Sequence, residues 1–569
     1  MKYPKIPLAQ TTVTLCKIHN IKHIVISPGS RSAPLTIGFT NDSFFTCYSI
    51  VDERCAGFFA MGIAQQLKEP TALVCTSGSA LLNYYPAISE AYYSRIPIVV
   101  LSADRPPHLV DIGDGQTIKQ KNVYGDHVFY SANLALDLRG SDISEITLDN
   151  QKQIQHNNEC QIHKALNASV INSGPVHINI PFDEPLYNSV TELTISPEPF
   201  KLPNLETKID VQELEDFVET WNLAKRKMIL VGVMPPNAIE QNILDRLVND
   251  DSVIVLTETT SNLHHEDSFP AIDQLISPLN QAEFEDLQPE ILLTFGGLVV
   301  SKRIKKFLRN YKPIHHYHVD RHYANDTFFS NVKYIKLSPN RFLKHTLKSF
   351  TSIQSTYKNR WLNIRNKRRQ LHRDYLQTNP FSDFIAFNAI LRSIPAHSQL
   401  QVGNSSAIRY TQLFELKKDV TVFCNRGTSG IDGSTSTAIG ASVASDDRVT
   451  FITGDLSFFY DSNALWNNYI KSNFRIIVIN NSGGGIFRIL PGHKNTDNFD
   501  TYFETKHHLD AKHLCAMFDI EYAAVDTHQD LKRTLKSFYD SSERPKLLEV
   551  FTPAKLNDQI LLKYFDFIK

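Results

Sequence analysis

Cysteine is scarce in this sequence, and its spacing excludes two classes of protein. The 569 residues contain seven cysteines, at positions 16, 47, 55, 75, 160, 424 and 515, and no two of them form a C-x-x-C pair. A small secreted domain held by disulfides would need a higher density, and a cysteine-based zinc site would need paired spacing. The scattered thiols therefore predict a cytoplasmic protein whose cysteines stay reduced.

Net charge and long hydrophobic runs are also missing. The chain carries 59 Lys and Arg against 60 Asp and Glu, and 42% of its residues are hydrophobic, as in an ordinary globular protein. A neutral chain has no global electrostatic bias toward nucleic acid. No apolar run is long enough to cross a bilayer, and residues 1–13 lack the apolar core of a signal peptide. We therefore expect no nucleic-acid partner and no membrane insertion.

The sequence does contain a repeated pattern, in which an apolar strand ends in a loop of small or charged residues. Four such strands are predicted near the N-terminus and four more, in the same order, in the last third: 23–26, 47–51, 72–75, 97–101, 400–402, 420–424, 449–453 and 474–479. Helical patterns lie between them, as where Ala56, Phe59 and Ile63 share one face. The repetition predicts an α/β fold with two related, doubly wound parallel sheets.

A third α/β segment separates these two regions. Its predicted strands are 228–233, 253–256, 291–295 and 314–319, and the predicted domains are 1–187, 200–345 and 375–569. Residues 185–203 are proline-spaced without helical periodicity, so we expect them to link the first two domains. The basic residues 358–373 are interpreted as the solvated face of a helix rather than a nucleic-acid contact, because the chain is neutral and no aromatic platform flanks them.

Residues 451–491 have the strongest local pattern. Two predicted strands joined by a helix place both following loops at one carboxyl edge of the sheet, where α/β folds bind ligands. That edge carries Asp455, then Asn481 and three glycines. The side-chain oxygens suit a hard divalent cation, and the glycines let backbone N–H groups approach a diphosphate. The alternative is an ordinary unit in which Asp455 caps a helix and Asn481 forms a turn.

The paired Gly-Asp and Asn-Asn dipeptides of this unit resemble the metal motif of the thiamine-diphosphate fold, although Leu456 stands at the position of that motif's third glycine. Glu53 fits the same fold, because it follows a strand and begins an apolar helix. Val51, Ala56, Phe58 and Phe59 are expected to bury its carboxyl group and to raise its pKa. The alternative for Glu53 is a first-turn acid favoured by the helix dipole.

Eight motifs, spread in order over residues 27–491, carry a more specific resemblance. They read SPGSRSAPL, DERCAGFFAMGIA, TSGSALLNYYPAISEA, SADRP, GNSSAIR, NRGTSGIDG, GDLSFFYDSNAL and NNSGGGIFRILP. Together they resemble the 2-succinyl-5-enolpyruvyl-6-hydroxy-3-cyclohexene-1-carboxylate synthases of menaquinone biosynthesis, in which G-D-L-S also replaces G-D-G. The resemblance implies three doubly wound parallel-sheet domains of the thiamine-diphosphate-binding fold, with the first and third related.

The resemblance also implies a reaction and its partners. The expected chemistry is thiamine-diphosphate-dependent decarboxylation of 2-oxoglutarate, followed by conjugate addition of the succinyl carbanion to isochorismate. The implied cofactors are thiamine diphosphate and Mg²⁺ or Mn²⁺. In this fold the activating acid and the diphosphate site come from different subunits, so a homodimer or homotetramer with active sites at the subunit interface is expected.

The resemblance assigns roles to individual residues. Catalytic roles fall on Glu53, Arg31, Gln116, Ser405, Arg409 and Arg426. Substrate contacts fall on Arg31, Arg105, Gln116, Lys302, Ser405, Arg409, Arg426, Ile486, Phe487 and Leu490. Cofactor contacts fall on Glu53, Ser429, Ile431, Gly454, Asp455, Leu456, Ser457, Asn481, Gly483, Ile486 and Phe487, and metal contacts on Asp455, Asn481 and Gly483.

These roles have a chemical basis and one departure. Both substrates are dicarboxylates, so several cations are expected, with arginine favoured for its bidentate fork. Ile431 is expected to wedge between the cofactor rings. Plain core packing is the alternative for Ile431, Ile486, Phe487 and Leu490. Gly115 stands where the family often has Asn, which removes any hydrogen bond that this side chain would make.

Other functions remain as alternatives. One is a different thiamine-diphosphate decarboxylase or carboligase, such as an acetohydroxyacid synthase, although no flavin fingerprint is present. Another is a non-catalytic ligand-binding protein of the same fold, which would not need Glu53. A dinucleotide enzyme is disfavoured because no G-x-G-x-x-G follows the first strand. The histidines are interpreted as structural or surface residues, namely His315, His316, His318, His507, His508 and His513.

Overall fold

Three parallel sheets organise the chain. A computed structural model describes residues 2–138, 145–198, 209–489, 496 and 498–569. Two of the sheets have six strands and one has five, and a separate pair of short strands is antiparallel. None of the helices in the described ranges combines the length and the apolarity that a membrane crossing requires.

The first domain contains eight strands and six helices. The strands are β1 (Tyr3–Pro4), β2 (His23–Ile26), β3 (Thr46–Ser49), β4 (Thr71–Cys75), β5 (Ile98–Asp104), β6 (Ser131–Asn133), β7 (Val176–Pro181) and β8 (Ser189–Val190). The helices are α1 (Pro7–Ile18), α2 (Ala33–Thr40), α3 (Glu53–Leu67), α4 (Ala80–Asn83), α5 (Tyr85–Ser94) and α6 (Glu145–Asn172). The sheet order is β3-β2-β4-β5-β7-β6.

The middle domain has a five-stranded sheet of order β10-β9-β11-β12-β13. Its strands are β9 (Lys227–Val231), β10 (Val253–Thr257), β11 (Ile291–Phe295), β12 (His315–Val319) and β13 (Lys333–Ile335). Its helices are α7 (Val211–Leu223), α8 (Gln241–Val248), α9 (Ile272–Ile276), α10 (Gln281–Leu287), α11 (Lys302–Asn310) and α12 (Pro339–Thr346). The long helix α13 (Tyr357–Thr378) then leads to the third domain.

The third domain repeats the architecture of the first. Its strands are β14 (Ser398–Val402), β15 (Thr421–Phe423), β16 (Arg448–Gly454), β17 (Arg475–Asn480), β18 (Glu521–Val525) and β19 (Lys546–Phe551). Its helices are α14 (Asp383–Ser393), α15 (Ser406–Thr411), α16 (Ser434–Val443), α17 (Asp455–Tyr460), α18 (Ile486–Ile489), α19 (Lys512–Met517), α20 (His528–Phe538) and α21 (Asn557–Phe567).

The sheet orders confirm the predicted duplication. The third sheet has the order β15-β14-β16-β17-β19-β18, and the first has the order β3-β2-β4-β5-β7-β6. When the strands of each sheet are numbered from one along the chain, both orders read 2-1-3-4-6-5. All twelve predicted strands exist, with ends shifted by at most three residues. The prediction missed the short pair β1 and β8 and the later strands β6, β7, β13, β18 and β19. The fold class is therefore confirmed, and the domain boundaries 1–187, 200–345 and 375–569 stay a prediction.

One prediction outside the sheets needs partial correction. Arg360, Lys367 and Arg373 on α13 are exposed, as a solvated face predicts, but Lys358, Arg365 and Arg368 are buried. Arg365 Nη1 donates to Ser268 O at 2.8 Å, and Arg368 Nη1 donates to Ile568 O, so these guanidinium groups fasten α13 to the middle and third domains. Buried cations persist where carbonyl groups accept their hydrogens. In the predicted linker, β8 pairs with β1, and residues 199–203 lie outside the described ranges.

The first and third domains share one hydrophobic core, in which α3 crosses α16. Gly62 and Gly440 lie at this crossing. A Cβ at Gly62 would collide with the carbonyl oxygen of Thr437, and one at Gly440 would collide with that of Phe59. Because each glycine faces backbone rather than a movable side chain, neither position has room for a larger residue.

Substitution Gly440→Ala is expected to destabilise the protein by about 1–3 kcal/mol, the usual cost of overpacking a core. Calorimetry would show this as a lower melting temperature. Gly115→Ala is the matched control, because a Cβ there meets no atom within 4 Å, and its melting temperature should stay unchanged. Equal melting temperatures for the two variants would contradict the close crossing of α3 and α16.

Candidate active site

Asp455 joins the two loops at the carboxyl edge of the third sheet. It begins α17, directly after β16, and is only 2% exposed. Its Oδ1 accepts the N–H of Leu456 at 2.7 Å, and its Oδ2 accepts the N–H of Gly483 at 2.9 Å. The carboxylate therefore ties the loop after β16 to the loop after β17, as the predicted strand-helix-strand unit requires.

Asn481 presents an unsatisfied oxygen at the same edge. Its Nδ2 donates to Asp383 Oδ2 at 3.0 Å, which fixes the orientation of the amide. Its Oδ1 is buried and has no hydrogen-bond partner among the described residues. Burial raises the pKa of Asp383 to about 6, although Thr552 and Asn481 donate to its carboxyl group. An orphaned buried oxygen is costly unless a ligand completes it.

These oxygens lie in a cavity of about 180 Å³. The resemblance assigned eleven residues to the cofactor, and nine of them line this cavity: Ile431, Gly454, Asp455, Leu456, Ser457, Asn481, Gly483, Ile486 and Phe487. Ile431 and Phe487 are 38% and 37% exposed, so their apolar surfaces are open to a ligand rather than packed in a core. Leu490 lies outside the described residues.

The glycine loop differs from the expectation in one respect. Its N–H groups were expected to bind a diphosphate, but they are bonded within the chain. Gly483 donates to Asp455, Gly484 donates to Glu504 O at 2.6 Å, and Gly485 donates to Gly483 O at 3.0 Å. The glycine loop therefore packs against the backbone of Glu504. The oxygens of Asp455, Asn481 and the Gly483 backbone still form a donor set that suits Mg²⁺ or Mn²⁺.

A second cavity, of about 390 Å³, adjoins the first and is rich in cations. Its lining residues are Leu298, Val300, Lys302, Lys305, Ser405, Arg409, Arg426, Ser429, Ile431 and Ile486. Ser405, Ile431 and Ile486 line both cavities, so the cationic space opens directly onto the Asp455 edge. Four positive side chains around one space predict an anionic ligand.

The cations in this second cavity repel one another. Burial lowers the pKa of Arg409, and the neighbouring Arg426 lowers it further. Burial also lowers the pKa of Lys305, against the attraction of Glu258. The Nε atoms of Arg409 and Arg426 are buried without partners among the described residues. An anion in the cavity would relieve this repulsion and satisfy these donors.

Two buried acids hold the loops that carry these cations. Glu258 accepts the N–H groups of Val300 and Ser301 at 2.7 Å each, just before Lys302, and burial raises its pKa to about 7. Glu90, on α5 of the first domain, accepts the N–H groups of residues 427, 428 and 429 at 2.5, 2.7 and 3.2 Å. Both loops are therefore fixed by carboxylates behind the cavity wall.

The first-domain residues lie at the carboxyl edge of their own sheet. Glu53 begins α3, is half-buried, and accepts a hydrogen bond from Asn83 Nδ2 at 3.2 Å. Val51 is 43% exposed, so it does not bury Glu53 as was predicted. The strand-to-helix turn leaves Val51 partly open to solvent within one chain.

The remaining first-domain candidates are partly engaged. Arg31 is 3% exposed and donates from Nη1 to Phe182 O at 3.0 Å, while its Nη2 lies 3.2 Å from a carboxylate oxygen of Glu184. Arg105 Nη2 donates to Gly115 O at 3.2 Å, which places it beside exposed Gln116. No described residue of the first domain lines either of the two cavities. Within one chain, Glu53 therefore does not line the cavity that holds Asp455.

Comparison with known proteins decides the family. Residues 7–124 match the model of the thiamine pyrophosphate enzyme N-terminal TPP binding domain, and residues 401–550 match that of the C-terminal TPP binding domain. A 2-succinyl-5-enolpyruvyl-6-hydroxy-3-cyclohexene-1-carboxylate synthase of Christiangramia forsetii is 55% identical over all of both chains. A synthase of the same name from Flavobacterium psychrophilum is 53% identical over 99% of both chains. One from Porphyromonas gingivalis is 35% identical over 97% of this chain and 96% of its own.

The chain belongs to this synthase family. It is a thiamine-diphosphate-dependent enzyme with a cofactor-binding domain at each end, as the resemblance implied.

Backbone strain marks three of the residues that resemblance to the synthase family assigns to the site. Gln116, Ser405 and Ser429 have φ values of 55°, 64° and 64°, which residues other than glycine rarely adopt. Such strain persists only where surrounding structure enforces it, and it concentrates at functional sites.

Sequence reasoning missed three residues of the synthase site. Lys305 lies one helical turn after Lys302, so the i, i+3 spacing on a predicted helix could have found it. Asp383 carries no local signal, because its bond to Asn481 spans 98 residues. His507 was interpreted as structural or surface, yet its Nε2 lies 3.2 Å from Asp455 Oδ2. His316 and His318 are structural as predicted, since both contact Thr294 Oγ1 inside the middle sheet.

Proposed function

We propose that the chain catalyses thiamine-diphosphate-dependent decarboxylation of 2-oxoglutarate and conjugate addition of the succinyl unit to isochorismate, within menaquinone biosynthesis. The observation that carries this proposal is the cationic cavity that opens onto the Asp455 edge. Both substrates are dicarboxylates, and four cations line that space. A decarboxylase for a 2-oxo acid with only one carboxylate would not need so many cations.

The divalent cation, Mg²⁺ or Mn²⁺, would be held by Asp455, by Asn481 Oδ1 and by the backbone of Gly483. Support comes from the orphaned Asn481 oxygen and from the buried Asp455 carboxylate. When bound, thiamine diphosphate supplies the electron sink for decarboxylation. The protein supplies orientation and charge.

The substrate carboxylates would be divided between the two halves of the site. Ser405 and Arg409 are proposed to hold the distal carboxylate of the 2-oxoglutarate-derived unit. Lys302 and Arg426 share their cavity and are proposed to face isochorismate. The first domain would contribute the rest of the isochorismate site, namely Arg31, Arg105 and Gln116.

The complete site would form between two copies of the chain, in a homodimer or homotetramer. Glu53 would then meet the cofactor held by its partner's third domain. Exposed apolar side chains support such an interface, both before α3 and in residues 460–466, a segment that bonds Asp52 and Arg54: Val51 is 43% exposed, Tyr460 is 54% and Trp466 is 54%. Arg54 joins them, with its guanidinium 4.7 Å from the ring centroid of Tyr460. A cytoplasmic location is proposed from the seven free thiols.

A substrate-omission experiment tests the proposed function. Purified protein with thiamine diphosphate and Mg²⁺ would receive ¹³C-labelled 2-oxoglutarate, isochorismate or both, with products and CO₂ followed by mass spectrometry. We expect equal consumption of both substrates and release of one CO₂ per product. Turnover of 2-oxoglutarate alone would favour a simple decarboxylase, and the absence of any turnover with no cofactor binding would favour a non-catalytic protein.

Replacing Arg409 tests the carboxylate assignment. Arg409→Ala is expected to raise KM for 2-oxoglutarate roughly 10- to 100-fold, the effect of losing a hydrogen bond to a charged group worth about 1.5–3 kcal/mol. Steady-state kinetics at saturating isochorismate would measure this change. Arg533→Ala is the control, because that side chain is 74% exposed on α20. An unchanged KM in Arg409→Ala would rule out its contact with this substrate.

A further inference from the structure

His507 reaches the Asp455 edge from a distant part of the chain. Its ring packs edge-on against Phe459, with centroids 5.5 Å apart, and its side chain is only 12% exposed. Its backbone N–H donates to Ser482 O at 3.3 Å, and the nearby Glu504 carbonyl accepts the N–H of Gly484. Backbone hydrogen bonds to the glycine loop therefore deliver this imidazole to the site.

The tautomer of His507 follows from its other nitrogen. Nδ1 accepts the backbone N–H of Leu509 at 3.1 Å, so the ring proton resides on Nε2. Nε2 lies 3.2 Å from Asp455 Oδ2. Its N–H is not aligned well enough for a regular hydrogen bond, and Nε2 has no other partner among the described residues. A donor thus stands beside the carboxylate without a completed bond.

Two buried polar atoms near Asp455 are therefore unsatisfied, namely Asn481 Oδ1 and His507 Nε2. A cation would satisfy the oxygen, but it cannot bind a nitrogen that carries a proton. The protonated Nε2 can only donate, and Asp455 Oδ2 is the acceptor in reach. Residues behind a metal ligand commonly orient it through such bonds.

We propose that His507 is a positioning residue of the cation site, which donates from Nε2 to Asp455 and fixes the carboxylate that holds the cation. This proposal rests on the proposed cation ligands Asp455 and Asn481. The carboxylate already accepts two backbone N–H groups. The His507 ring, held by Leu509 and Phe459, would add a third donor and restrict rotation of the Asp455 carboxylate. The carboxylate would then lose less conformational entropy when the cation binds.

Mn²⁺ binding measured by electron paramagnetic resonance, with thiamine diphosphate present, tests the proposal. His507→Leu is expected to raise the Mn²⁺ dissociation constant about tenfold or more, the usual loss when a residue behind a metal ligand is removed. His507→Gln, which keeps a donor, should restore much of the affinity. His508→Leu is the matched control, because His508 is an exposed neighbour, and it should bind like the unmodified protein. His507→Ala serves the same comparison if the leucine variant does not fold.

A parallel Asp455→Asn variant separates the two proposals. If Asp455→Asn loses Mn²⁺ while His507→Leu binds normally, the role of His507 is wrong and the cation site stands. If Asp455→Asn also binds normally, the proposed cation site itself is wrong. Pulsed electron paramagnetic resonance of the bound Mn²⁺ tests a third possibility. A directly coordinated ¹⁴N nucleus would show that His507 is a metal ligand, which would overturn its role as a donor to Asp455.

Discussion

Glu53→Gln is expected to lower kcat by about 10²- to 10⁴-fold, the range that loss of a positioned acid-base group produces. Glutamine keeps the length and the hydrogen-bonding capacity of the side chain but cannot exchange a proton. Cofactor binding should change much less, because the proposed cation and anion sites are built from other residues and glutamine can still hydrogen-bond the cofactor. Stopped-flow kinetics and calorimetric titration of thiamine diphosphate would separate the two quantities.

The control for this variant is Glu69→Gln. Glu69 is an exposed acid two residues after the end of α3, so its replacement changes the net charge equally without touching the site. Its kcat should equal that of the unmodified enzyme. Unchanged turnover in Glu53→Gln would remove Glu53 from the mechanism.

Asp455→Ala is expected to lose cation-dependent cofactor binding. Removing a residue that only hydrogen-bonds a metal ligand typically lowers affinity roughly 10- to 100-fold. Because Asp455 is proposed to bind the cation directly, the affinity for thiamine diphosphate in Mg²⁺ should fall by more than this. In the absence of Mg²⁺ the two proteins should differ far less. Calorimetric titration with and without the cation measures both values.

Asp455 also has a structural role, which the variants must separate. Its carboxylate accepts the N–H groups of Leu456 and Gly483, so alanine leaves both without an acceptor. Asp455→Asn keeps one of the two acceptors, so it should bind the cation poorly while melting closer to the unmodified protein than Asp455→Ala does. Asp447→Ala, at the exposed turn before β16, is the control. Normal cofactor affinity in Asp455→Asn and Asp455→Ala would refute the cation assignment.

The strands were predictable because parallel strands covered on both faces are continuous apolar runs. β4 and β11 are buried along their whole length, and each ends at a loop of small residues. The edge strand β18 is half-exposed and reads EYAAV, which carries no such signal. The approach of Asp455 to the loop after β17 followed from topology, since two parallel strands joined by one helix must share an edge.

Long-range contacts within the site had no local signal. Glu90 bonds a loop 337 to 339 residues away, and Asp383 bonds Asn481 across 98 residues. The error at Val51 has a different origin. An apolar residue beside an acid predicts burial, but in one chain Val51 is exposed. A surface that a second copy would cover has the composition of a core, so a sequence alone does not separate the two.

Complementation between two inactive variants tests most directly whether Glu53 and Asp455 act on one cofactor bound between two chains. Glu53→Gln and Asp455→Ala chains, carrying different tags, would be co-expressed and the hybrid dimer purified through both tags. In the hybrid, one site carries both substitutions and the other carries neither, so about half of the unmodified turnover per dimer is expected. A hybrid as inactive as its two parents would contradict an active site shared between subunits.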